Sequence, residues 1–117
     1  KSHWIFMLIV NMSINNFIDT NKGKIAFQVG YDIQDITAAS IIVDLIEAGV
    51  ADMVASGVTE ATIINNKLSI ITLAIFVKDN LNITSGDNKI SPMYISNVQK
   101  LKLVPTQIEQ EGEQDET

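Results

Sequence analysis

A chain of 117 residues argues on length for one domain with a modest core rather than two. Apolar residues make up 46% and charged residues 19%, which excludes the low-hydropathy composition of disordered chains. The formal charge of −6 is concentrated at the end, where Glu109, Glu111, Glu113, Asp115 and Glu116 follow Pro105 with no Lys, so the body is nearly neutral.

The opening run Trp4 to Val10 follows Lys1 and faintly imitates a signal peptide. It is short, and no small-x-small cleavage site follows it, so export is not expected. Met7 and Met12 each offer a natural start, and residues 1–11 are expected to be a non-native or disordered extension. From Asn11 to Gly23 the many Asn, Asp and Thr predict a loop with one helical turn at most. Lys24 to Val29 places Ile25, Phe27 and Val29 on one side, the pattern of a short half-buried strand ending at Gly30.

The clearest element starts at Asp35, a good N-cap, and runs to about Ala55 before Gly57 stops it. Ile42, Leu45, Ile46, Gly49 and Met53 share one face of this helix; Ser40, Asp44, Glu47 and Ala51 share the other. Glycine inside a helix costs about 1 kcal/mol relative to alanine, so Gly49 on the apolar stripe implies a closely packed second helix. After a polar break at Val58 to Thr62, Asn65 or Asn66 caps a helix over Lys67 to Asn80. That segment is apolar nearly all round, with only Ser69 and Thr72 interrupting, and its β-branched residues also permit a central strand. As a helix it has more apolar surface than a small domain can cover, which points to neighbouring subunits and to Ile71, Ile75, Phe76 and Tyr94 as candidate interface residues. Asn82 to Lys89 reads as a loop. Ser91 with Pro92 opens a short third helix through Met93, Tyr94, Ile95 and Val98, and the alternation over Gln99 to Val104 also allows a terminal strand. The expected fold class is mainly α, a small helical bundle over residues 1–105 with one or two short strands, followed by a disordered acidic tail over 106–117.

Chemistry is sparse. The only His is His3, read as a mobile terminal residue, and without Cys there is no disulfide, thiolate ligand or thiol nucleophile. All eight basic residues are Lys, and a chain with no Arg lacks the planar fork that reads guanine edges. The pairs Asp32 with Asp35 and Asp44 with Glu47 are read as solvated carboxylates. Asp79 to Asp87 lacks the spacing and closing Glu of a calcium loop, and the scattered glycines form no phosphate cradle. Asn82-Ile83-Thr84 matches a glycosylation acceptor only by pattern. The longest apolar runs, Trp4 to Val10 and Ile70 to Val77, fall far short of the roughly 18 to 20 residues that span a bilayer. No catalytic residue, cofactor, metal or membrane partner is expected, and the chain is not read as an enzyme.

In order, three segments resemble the small head–tail connector (portal adaptor) proteins of tailed bacteriophages. They are the amphipathic Ile41-Ile42-Val43-Asp44-Leu45-Ile46-Glu47-Ala48, the apolar Leu68 to Asn80, and, after a loop, Ile90-Ser91-Pro92-Met93-Tyr94-Ile95-Ser96-Asn97-Val98-Gln99-Lys100-Leu101. The likeness spans roughly Ile36 to Leu103 and is one of order and hydropathy. Such proteins often carry an aromatic and an Arg where this chain has Phe76, Lys78 and Asn80, and a closing Arg where it has Lys100 or Lys102. The resemblance implies a non-enzymatic virion protein at the neck. It would form a homo-oligomeric ring that contacts the portal protein and tail or neck proteins and lets double-stranded DNA pass without base reading. A small oligomeric helical binding or regulatory module is the other class consistent with the residues. The tail has almost nothing apolar to bury beyond Ile108. Deleting everything after Pro105 is therefore expected to leave the melting temperature within a few degrees of the parent; a larger drop in a thermal melt would mean that the tail is docked.

Overall fold

The computed structural model describes the backbone of residues 2–81 and 90–104, and side chains within that range from Ile14 onward. It contains α1 (Ser2–Gln28), α2 (Ile36–Ala55), α3 (Glu60–Asn65), α4 (Leu68–Leu81) and α5 (Pro92–Lys102), and among the described residues there is no strand. The helical class is as expected; the short strands are not present where they were expected. The segments 82–89 and 106–117, read as a loop and an acidic tail, lie outside the described residues, as does Pro105.

The largest correction is α1. The stretch read as a loop over Asn11 to Gly23 and as a strand over Lys24 to Val29 is helical, part of a helix that begins at Ser2. Its described part carries a helical stripe in which Phe17, Ile18, Ile25 and Ala26 are buried, with Ile14 and Val29 packed at its margins. Phe27, needed by the strand reading on the same side as Ile25, is instead 83% exposed. The turn-favouring residues are absorbed locally: the Asn21 amide donates to the Phe17 carbonyl at 2.8 Å, and Lys22 pairs with Asp19 at 2.8 Å. Burial along a 3.6-residue period thus overrides local turn propensity. Gly30 does end the element, as read, but as a helix terminus. With φ of 85° it takes the left-handed conformation, and the Tyr31 amide donates back to the Ala26 carbonyl at 2.9 Å, the wrap of a Schellman turn.

α2 follows its sequence signals closely. Asp35 Oδ1 accepts from the amides of Thr37 and Ala38 at 3.0 and 3.2 Å, satisfying donors that have no partner within the helix. Ile42, Ile46, Gly49, Val50 and Met53 are buried, and Ser40, Asp44, Glu47 and Ala51 are exposed. Gly57 ends this helix with φ of 111°, and the Val58 amide donates to the Met53 carbonyl at 3.0 Å. The expected polar break is the start of α3, where Thr59 Oγ1 accepts from the Thr62 amide at 3.2 Å and Ile63 is fully buried.

α4 is the centre of the fold and packs on α1, α2, α3 and α5. The strand alternative for Ile70 to Val77 is excluded. Asn66 Oδ1 accepts from the Leu68 amide at 3.0 Å to cap the helix start. Its two hydroxyl residues point inward: Ser69 and Thr72 are fully buried while Ile71 is 48% exposed. The Thr72 hydroxyl donates to the Leu68 carbonyl at 2.6 Å, and the Ser69 hydroxyl lies between the carbonyls of Ile63 and Asn66 and donates to them. Buried hydroxyls that find carbonyls avoid the desolvation cost of unpaired groups. α5 buries Tyr94, Asn97, Val98 and Leu101, one helical stripe, so the terminal strand allowed over Gln99 to Val104 is replaced by helix as far as Lys102. Ser91 occupies the N-cap position ahead of Pro92, but its side chain makes no capping bond; its amide instead donates to Asp79 Oδ2 at 3.0 Å and ties the start of α5 to the end of α4.

The crossing of α2 and α4 occurs at Gly49, where a Cβ would meet Leu73 Cδ2 at 2.8 Å and Phe76 Cδ1 at 3.0 Å. Alanine there would regain about 1 kcal/mol of helix propensity, while overpacking costs about 1–3 kcal/mol. Gly49→Ala is expected to lower stability by about 1 kcal/mol net, and the branched Gly49→Val by about 3 kcal/mol. Urea midpoints at constant slope measure both, and a stabilised Gly49→Ala would mean that the two helices separate easily.

Candidate interaction surface

Leu73 and Phe76 lie against Gly49 and so define the side of α4 that faces α2. At 100° per residue, Lys67, Ile71, Ile75 and Lys78 lie on the opposite side. Lys67, Ile71 and Lys78 are exposed and Ile75 is half-buried, which makes an apolar pair bracketed by two cations about 16 Å apart along the axis. Of the four residues anticipated at an interface, Ile71 and Ile75 share this outward stripe. Phe76 is half-buried and belongs to the α2 side, and Tyr94 is only 4% exposed. The rings of Phe76 and Tyr94 meet each other, centroids 5.5 Å apart and tilted by 46°. The four candidates therefore split into a surface pair and an internal pair. More of α4 is covered than its sequence suggested, because α1 supplies a wall that was not read as a helix.

A second feature is an open groove of about 450 Å³ between α1 and α2. Ile18, Val50, Ala51 and Val54 line it, with Glu47 near one end of the run along α2 and Glu60 added from the start of α3. Val54 remains 42% exposed. Sequence reasoning missed this groove because one of its walls is α1; the signal that could have found it is the helical spacing of Ile14, Phe17, Ile18 and Ile25.

The carboxylates weighed for acid–base chemistry have structural or solvated settings. Asp35 caps α2, Asp32 Oδ1 accepts from the Gln34 amide at 2.9 Å, and Asp44 and Glu47 are exposed. Among the described residues no three His, Cys, Asp or Glu side chains gather as a metal site, and no helix is long and apolar enough to cross a membrane.

Tyr94 is engaged within the subunit. Its hydroxyl donates to Asp52 Oδ2 at 2.5 Å and links α5 to α2 across the Phe76 ring. Burial, aided by this hydrogen bond and by the negative charge of Asp52, pushes the hydroxyl pKa well above its ordinary value near 10. The folded chain keeps this proton where the unfolded chain releases it. The contribution to stability is thus whole below about pH 10 and is lost as pH rises beyond it. Denaturation at rising pH should show that decline in the parent and a weaker one in Tyr94→Phe, which at neutral pH should be less stable by about 1–2 kcal/mol. Identical slopes for the two proteins above about pH 10 would mean that this tyrosine is not held neutral by the fold.

Compared with known proteins, the chain matches no family model, no curated protein and no solved structure.

Proposed function

We propose that the chain is a structural subunit of a closed homo-oligomeric ring, of the head–tail connector kind that Ile36 to Leu103 resembles. It would sit in the virion neck between portal and tail proteins. The observation that carries this reading is the inverted surface of α4, which buries Ser69 and Thr72 and leaves Ile71 outward beside Ile75. A central helix that spends its hydroxyls on the inside and an isoleucine on the outside is suited to a protein neighbour on that face. The order of elements supports the same reading: an amphipathic helix, an apolar helix against it, and a short closing helix that starts at Ser91-Pro92. No catalytic step is assigned to the chain.

DNA passage is compatible with the charges. A chain with no Arg and a formal charge of −6 offers few firm phosphate contacts, so a duplex would slide past it with little retention. The acids after Pro105 would line such a channel or reach toward an adjoining ring.

Ile71 and Phe76 separate assembly from folding. Ile71→Asp changes an outward side chain and should leave the melting temperature within about 3 °C, a shift worth under about 1 kcal/mol for a domain of this size. It should nevertheless weaken assembly by more than about 1 kcal/mol. Phe76→Ala removes a ring packed on Gly49 and Tyr94 and should cost folding about 2–4 kcal/mol. Light-scattering mass of the parent and both variants, alone and mixed with a portal protein, reads the result. A parent that stays monomeric throughout would end the ring reading.

A further inference from the structure

The outward stripe of α4 and the groove between α1 and α2 are complementary. The stripe is apolar at its centre, with exposed Ile71 and half-buried Ile75 between Lys67 and Lys78. The groove is concave and apolar, with Ile18, Val50, Ala51 and Val54 as lining and Glu47 and Glu60 as its acids. Along α2 the groove runs from Glu47 to Ala55, about 12 Å, which is shorter than the span of about 16 Å between the two lysines on α4 and longer than the span of about 6 Å between Ile71 and Ile75. Among the described residues none of these four charged side chains has an ion-pair partner, whereas Lys22, beside Glu47, is engaged by Asp19.

The two features also lie on different sides of the molecule. The stripe points away from α2, because Leu73 and Phe76 occupy the side of α4 that meets Gly49. The groove residues Val50, Ala51 and Val54 are turned around α2 from the Ile42, Ile46, Gly49 and Met53 face that packs on α4. One subunit's stripe therefore cannot reach its own groove, but it is presented to that of a neighbour.

We infer that the groove between α1 and α2 is the docking site for the α4 stripe of a second copy of this chain. Lys67 and Lys78 pair with Glu47 and Glu60 across the contact, and Ile71 enters between Val50 and Val54. Because the two faces differ, the contact is head-to-tail and propagates from copy to copy until the rotation per subunit closes it. The inference rests on the ring reading and adds to it the counter-surface and its polarity. The apolar pair supplies attraction, and two cations set against two acids favour the register that brings them together.

Charge reversal in the full-length chain tests it. Lys67→Glu with Lys78→Glu places four acids at the contact, and Glu47→Lys with Glu60→Lys places four cations there. Each double variant should keep its helical circular dichroism and raise the concentration for half-assembly by about 100-fold. The chain carrying all four substitutions restores opposite charges and should recover the parent's mass in light scattering. Ala51→Arg, which fills the groove from an exposed position without touching the stripe, should also dissociate the ring. If the parent assembles and groove variants leave its mass unchanged, or if the fourfold variant fails to reassemble while folded, the groove is not the partner surface and the ring reading stands without it. If the parent is monomeric at every concentration and with a portal protein, both fall.

Discussion

The contact on which the rest depends is the approach of α4 to α2 at Gly49. Leu73 and Phe76 come so near that a Cβ at that position would have to displace their side chains, and their seating sets the rotation of α4 about its own axis. That rotation turns Ser69 and Thr72 inward and Ile71 outward. It also holds the Phe76 ring where Tyr94 can meet it, and the Tyr94 hydroxyl then reaches Asp52 to close a circuit through α2, α4 and α5. A single missing side chain thus decides both which residues form the core and which face is left for a neighbour.

How much of this was legible depended on whether the local signals and the burial period agreed. At α2 they did: Asp35 caps, Gly57 stops, and the apolar stripe has one period throughout, so the helix was readable within a residue or two. Gly49 was readable as a close approach because a glycine on an apolar stripe has no other economical purpose. At α1 the signals conflicted. Asn15, Asn16, Asn21 and Gly23 favour turns, and the period that overrules them is carried by only a few residues, Ile14, Phe17, Ile18 and Ile25. The strand read from Ile25, Phe27 and Val29 was a chance alternation within a helix that buries Ile25 and exposes Phe27.

Among the interface candidates, the sequence identified an over-apolar helix but could not tell its faces apart. With apolar residues nearly all round, the rotation is decided by the partner helices, and the hydroxyls that interrupt the apolar run find carbonyl acceptors inside. Tyr94 looked like a surface aromatic at the start of a short helix. Its stripe with Asn97, Val98 and Leu101 was present in the sequence, but assigning it to the core required knowing that α5 lies on α4. The groove was invisible for a related reason, since it exists only once α1 stands beside α2.

The bond from the Ser91 amide to Asp79 has a bearing on how this fold can diverge. It fastens the two ends of the connection between α4 and α5 to each other, so helix placement does not rely on the number of residues between them. Lengthening such a closed connection costs only about 0.6 kcal/mol for each doubling of its length. Residues inserted between positions 82 and 89 should therefore change the core little. That makes this connection the place where an added segment could extend the protein's reach toward new partners while leaving the α2–α4 crossing undisturbed.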